Sequence, residues 1–277
     1  LLITTVYGLG TSIAIARGAP VDPFGIATGL LALLPVAASV HFANEYADHE
    51  TDALTVRTPF SGGSGALADT GLDRSIAIWA AWIAVGLGLG FAAICLLHGY
   101  PITAIGVLTI GAVIGWQYSV PPLKLAWRGW GELDNALAGG VVLPAYGYAT
   151  SAGTVDPVVI LASVPFFALV FANLLDTTWP DRAADAQVGK ATLATRWSRG
   201  RLRWLYLLAV GLWIGSTLAL RGSVLPLLVA DAGLVVLPLV VWGYLRYTRT
   251  RSPFPTVVAM VLTAVIHLLA WSWVGLR

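Results

Sequence analysis

Asn44, Asp48 and Asp52 recur at four-residue spacing where one long apolar run ends, and Asp176, Asp181 and Asp185 follow another. On a helix, four-residue steps drift by about 40° and about 6 Å along the axis, so the first three form one slowly turning oxygen-rich stripe. Carboxylates stacked in this way repel one another and persist best with cations between them. Hard, oxygen-seeking Mg²⁺ is the expected cation, above all where it shares its shell with substrate phosphates. The order of charges also repeats. Asp48, Asp52 and Arg57 are spaced by four and then five residues, and so are Asp181, Asp185 and Lys190. The two runs read as copies of one device for a metal-bridged polyanion, with carboxylates on the metal and cations on phosphate oxygens. Beyond Arg57, Thr58 to Gly65 is a loop whose Ser61-Gly62-Gly63-Ser64-Gly65 offers many N–H groups to an anion, although such a run also makes an ordinary turn.

These residues must be positioned inside a membrane. Of 277 residues, 57% are hydrophobic and 11% charged, against roughly 25% charged in soluble domains. The fold class expected is an all-α integral membrane protein, a single transmembrane domain over residues 1–277. A spanning helix needs about 20 mainly apolar residues. Nine segments qualify, near 1–16, 24–45, 76–98, 101–119, 133–151, 157–176, 203–220, 223–246 and 255–275. The first lacks a charged flank and a small-residue cleavage site, so it reads as a span and not as a signal peptide. Glycines scattered through these spans suit close helix approach in lipid. Lys and Arg crowd the loops after the even spans, whereas the opposite loops hold only Arg17 and Arg221. The positive-inside rule places the crowded loops in the cytoplasm. Both acidic runs, with Glu132 and Asp134, fall on that same side, which topology alone does not require.

Asn44, Asp48 and Asp52 followed by Arg57 resemble the first signature of the UbiA superfamily of intramembrane prenyltransferases. Asp181-Arg182-Ala183-Ala184-Asp185 leading into Gly189-Lys190-Ala191-Thr192-Leu193 resembles the second, and Tyr118-Ser119-Val120-Pro121-Pro122-Leu123-Lys124 is similar to a loop after the fourth helix in many members. The resemblance implies nine transmembrane helices around a central cavity, a cytoplasmic cap over a pair of Mg²⁺ ions, and an isoprenyl diphosphate donor. It implies that Asn44, Asp48 and Asp52 bind one Mg²⁺, that Asp181 and Asp185 bind the other, and that Arg57, Lys124 and Lys190 neutralise the diphosphate. Leaving-group departure would then be the catalysed step, with an apolar and aromatic pocket shielding the allylic cation from water. Members commonly carry a further polar residue four positions before Asp181, where this chain has Thr177. Asp176 is the favoured substitute, brought round by a break at Pro180, with Asn173 as the other candidate.

The stretch from Asn44 to Gly65 looks most like the branch that prenylates 1,4-dihydroxy-2-naphthoate on the way to menaquinone, which implies an aromatic acceptor. Another lipid or chlorin acceptor, and a membrane terpene cyclase sharing the ionisation chemistry, are the alternatives. Tyr118 is a candidate for orienting the acceptor, or else an interfacial belt residue. His49, His98 and His267 read as hydrogen-bonding or interfacial groups, Cys95 as a buried structural thiol, and most of the twelve tryptophans as belt or packing residues. The Arg196, Arg199, Arg201 and Arg203 run fits topology and anionic headgroups; nothing points to nucleic acid. A transporter would place its charges near the midplane, whereas here nearly all lie at one face.

Overall fold

Proline and an acid start two of the long helices. Asp22 accepts from the Phe24 N–H at 3.1 Å and Asp156 from the Val158 N–H at 2.7 Å, each with proline at the first helical position. Those side chains satisfy amides that have no intrahelical partner, and proline has none to satisfy. The computed structural model describes residues 1–60, 63–97 and 99–277, so Ser61, Gly62 and His98 of the sequence reading lie outside the described residues. Nine long helical stretches appear among the described residues, where nine segments were expected. They are α1 (Leu2–Ala16), α2 (Pro23–Leu54), α3 (Ser75–Leu97), α4 (Ile102–Ser119), α5 (131–152), α6 (Pro157–Thr178), α7 (Arg199–Leu220), α8 (Leu227–Arg246) and α9 (Phe254–Gly275).

Nine spans were expected; seven of the stretches are long and apolar enough to cross a membrane by length and composition. The two others fail for different reasons. Helix α1 has 15 residues, about 22 Å of helix against a hydrocarbon core of about 30 Å. Helix α5 is interrupted at Ala138–Val142 by a wider π turn. In contrast, α2 has 32 residues, about 48 Å, so its acidic last turns extend past the apolar thickness.

Small residues decide which helices touch. Helix α1 packs on α5 and α9, α2 on α3 and α4, and α6 on α7 and α9. At the α1–α5 crossing, a β-carbon on Gly10 would meet the Pro144 carbonyl, and one on Gly147 would meet the Tyr7 carbonyl. Backbones pressed this closely gain dispersion contact, which substitutes in lipid for the absent hydrophobic drive. Side chains then lock the arrangement. Tyr7 donates to the Ile26 carbonyl at 2.9 Å, and Tyr146 donates to that of Gly29 at 2.8 Å.

Between α1, α2, α4, α5, α6 and α9 lies a cavity of about 360 Å³. Its wall is almost wholly apolar, with Val6, Leu33, Val36, Leu108, Phe166 and Met260 among the lining residues. The π turn of α5 contributes Ala138, Gly139 and Val142 to the same wall. The polar exceptions are His41, Asn135 and Asn173 toward one end and Tyr146 farther in.

Candidate active site

All the chain segments that carry the acidic runs converge at one end of the bundle. Helix α2 ends there, α4 ends there, α5 begins there, and α6 ends just before Trp179-Pro180-Asp181. Proline cannot continue the helical ladder, so α6 stops at Thr178 and a separate short helix, Arg182–Gln187, carries Asp185. The Asp185 N–H closes one turn on the Asp181 carbonyl at 2.9 Å, and the Lys190 N–H then turns back onto the Asp185 carbonyl at 2.8 Å.

This geometry brings residues from distant parts of the chain onto one another. The Lys190 ammonium donates to Asp48 Oδ2 at 2.8 Å and lies 3.7 Å from Asp185 Oδ1. All three are buried, with exposures of 7% for Asp48, 2% for Asp185 and 8% for Lys190. Asn44 donates to the same Asp48 oxygen at 2.9 Å and to Ser119 Oγ at 2.8 Å, which ties the stripe to the end of α4. Asp52 feels the charges of Asp48, Lys190 and Asp181. The two rows therefore face each other, with Lys190 between them. Tyr118 stands within electrostatic reach of Lys190 and Asp48.

The electrostatics follow from burial. Burial pushes the Asp185 carboxyl up to about 6, the Asp48 charge adds to this, and Lys190 opposes it. Burial alone would lower the Lys190 ammonium, yet Asp48, Tyr118 and Asp185 outweigh it and hold it above its usual range. Asp48 Oδ1, Asp185 Oδ1 and Asn173 Oδ1 are buried oxygens with no hydrogen bond among the described residues. Such atoms suit a hard divalent cation. No group of three His, Cys, Asp or Glu converges into an all-protein cage among the described residues. Mg²⁺ rarely needs one, since it commonly binds through one or two carboxylates together with substrate phosphates.

An acid whose folded pKa lies above its unfolded value opposes folding once ionised. Metal-free protein should accordingly lose stability as pH rises from about 4 through the Asp185 value of about 6, and Mg²⁺ should relieve that loss. The expected result is a Mg²⁺-induced rise in thermal midpoint that is large at pH 7.5 and small at pH 5. Equal rises at both pH values would count against a carboxylate-bound ion.

Three expected contributors point elsewhere. Arg57 binds Asp69 through Nη1, at 3.0 and 2.8 Å, and the Gly65 carbonyl through Nη2 at 3.3 Å. Those bonds fold the loop back on α2, where Ser64 N–H donates to Glu45 at 2.9 Å and Gly63 presses against Asp52. The Lys124 ammonium sits 5.0 Å from the Trp127 ring centroid and makes no ion pair among the described residues. Asp176 accepts from Thr256 Oγ1 at 3.0 Å, across the α6–α9 contact. The chain does break at Pro180, but Asp176 keeps its place on α6 and turns to α9, while Asn173 lines the cavity. Of the two candidates, Asp176 is thus engaged with Thr256 and Asn173 is the one that lines the cavity. Asp231, far from both acidic rows in the sequence, pairs with Arg221 at 2.6 and 2.8 Å at an exposed position.

Glu132 escaped the site reading. At 2% exposure, its Oε1 accepts from the Leu193 N–H at 3.1 Å and from Thr178 Oγ1 at 3.5 Å. It fastens the segment that carries Lys190 to the first turn of α5. An acid opening an apolar helix was the available signal, because such a residue is costly unless it is paired.

The sequence profile of the UbiA prenyltransferase family matches residues 1–266. The 1,4-dihydroxy-2-naphthoate octaprenyltransferase of Bacillus subtilis (strain 168) is 28% identical over 169 residues, which are 60% of this chain and 52% of that protein. The aligned part thus spans about half the length of that relative. A UbiA homolog from Aeropyrum pernix K1, in its apo structure, superimposes with a TM-score of 0.73 at 14% identity, covering 100% of this chain and 98% of the other. A UbiA homolog from Archaeoglobus fulgidus bound to GPP and Mg2+ gives 0.66 at 19% identity, covering 100% and 97%. At these identities the structural likeness concerns the fold.

Proposed function

Because this chain belongs to the UbiA prenyltransferase family, we propose that it moves an isoprenyl group from a prenyl diphosphate to an aromatic acceptor within the membrane. The observation that carries this reading is the facing of the two aspartate rows across Lys190, at the polar end of an apolar cavity. His41 lines that cavity one helical turn before Asn44, so the stripe begins at its rim.

In this reading Asn44, Asp48 and Asp52 hold one Mg²⁺, and Asp181 and Asp185 a second. When bound, the ions supply Lewis-acid neutralisation of the charge that grows on departing pyrophosphate. Lys190 stays with Asp48 and Asp185 and offers its remaining N–H to the diphosphate. Arg57 and Lys124 join by leaving Asp69 and the Trp127 face. The allylic C–O bond breaks with its electron pair going to pyrophosphate, an electron-rich ring carbon forms the new C–C bond, and that carbon then gives up its proton to the departing pyrophosphate or to water, which restores the aromatic ring. Val6, Phe166 and Met260 keep water from the cation, and Tyr118 orients the acceptor in this reading. The dihydroxynaphthoate relative supports a similar acceptor. The Arg- and Lys-rich loops support a multi-pass arrangement in the cell membrane with the site and its capping loops toward the cytoplasm. Nine spans remain part of the reading, with α1 and α5 completing the seven.

Purified protein given Mg²⁺, geranyl diphosphate and 1,4-dihydroxy-2-naphthoate should release pyrophosphate and yield a prenylated naphthalene by mass spectrometry. Pyrophosphate release without acceptor, together with a cyclic hydrocarbon, would move the reading to a terpene cyclase. A full panel of aromatic acceptors and prenyl diphosphates that leaves pyrophosphate at background would end it.

A further inference from the structure

At the same end of the bundle, but beside the acidic rows, cations gather that take part in none of the ion pairs among the described residues. The Arg182 guanidinium lies 3.7 Å from the centroid of the Trp179 ring, and its Nη1 donates to the Trp179 carbonyl at 2.9 Å. Arg199, the first residue of α7, lies 5.6 Å from the same centroid. Arg251, in the α8–α9 connection, is within electrostatic reach of Arg182. None of the three pairs with a carboxylate among the described residues. Like charges held this close call for an anion between them.

The level of the patch says which anion is at hand. Trp204 on α7 and Trp242 on α8 are 68% and 42% exposed just inside the helix ends that bear the arginines. Exposed tryptophans mark the membrane interface, and lipid phosphates lie at that depth. Orientation by the positive-inside rule needs only the charges, not their convergence on one ring. A guanidinium stacked on an aromatic face keeps its N–H edge free for a phosphate.

We propose that Arg182, Arg199 and Arg251 over Trp179 form a binding site for the phosphate of an anionic phospholipid. Arg182 lies within the second acidic row, between Asp181 and Asp185, so the test varies only Arg199 and Arg251, which lie outside both rows.

The test uses delipidated protein in a neutral detergent, with dioleoylphosphatidylglycerol or dioleoylphosphatidylcholine added to the micelles and thermal midpoint as the reading. The phosphatidylglycerol should raise the midpoint saturably and the phosphatidylcholine should not. In R199Q/R251Q the half-saturating lipid fraction should rise by roughly tenfold or more. R128Q/R201Q removes the same charge from the same end and should respond like wild type. Equal responses to both lipids, an unchanged R199Q/R251Q, or an equally impaired R128Q/R201Q would overturn the proposal. So would inorganic pyrophosphate that displaces the lipid effect, since the patch would then take free phosphate. If R199Q/R251Q does not fold, native mass spectrometry of wild type decides: selective retention of phosphatidylglycerol supports the site, and equal retention of both lipids refutes it.

Discussion

Asp48→Asn is expected to lower turnover by roughly a thousandfold or more, the scale for losing a preorganised electrostatic contact together with a metal ligand. Asparagine keeps the volume, so helix packing is preserved and far-ultraviolet circular dichroism should not change. Only the charge goes. Asp48 Oδ2 takes hydrogen bonds from both Asn44 and Lys190, and its Oδ1 is a buried oxygen without a hydrogen bond among the described residues. Its replacement leaves the buried Lys190 with Asp185 alone at 3.7 Å. Breaking one side of a buried ion pair costs about 3–5 kcal/mol, so the thermal midpoint should fall as well. Turnover must be measured well below that midpoint, at saturating Mg²⁺. A rate near wild type in folded protein would remove Asp48 from the chemistry.

A loss of folding, not of chemistry, is expected from Gly147→Val. The new β-carbon would run into the Tyr7 carbonyl, and Gly10 on the other helix is just as tightly seated against Pro144. Where a flexible side chain is in the way, overpacking costs about 1–3 kcal/mol. Here backbone opposes backbone, and neither helix can yield without separating α1 from α5. The Tyr146 bond to Gly29, which braces the cavity, depends on the same contact. A drop in thermal midpoint of roughly 10 °C or more is expected for a chain of this size, or failure to recover monodisperse protein. A midpoint within a degree or two of wild type would mean that the crossing is looser than its geometry indicates.

Much of this architecture is legible in the sequence because it rests on local pattern. Long apolar runs punctuated by Pro, Gly and charge place all nine helical stretches, and four-residue spacing puts Asn44 and Asp48 on one face. The repeated spacing ending in Lys190 likewise anticipates a cation beside the acids. What the sequence conceals depends on partners far along the chain. Arg57 could face a diphosphate or pair with Asp69, and only the path of the loop decides. Asn173 and Asp176 differ by about 60° around α6, enough for one to line the cavity and the other to meet Thr256. Glu132 looks like one more acid at a membrane surface until Leu193 and Thr178 are brought to it. The π turn in α5 has no distinct sequence signature, since Ala138 to Val142 suits an ordinary helix equally well.

Counting divalent ions addresses the core of the account most directly. Mn²⁺ binding followed by electron paramagnetic resonance, with a non-hydrolysable prenyl thiodiphosphate present, should give two ions per chain close enough for spin coupling. Asp185→Asn should remove the coupling and leave one ion. No Mn²⁺ retained in the presence of the diphosphate analogue, or two uncoupled ions unaffected by Asp185→Asn, would contradict paired aspartate rows as the diphosphate site.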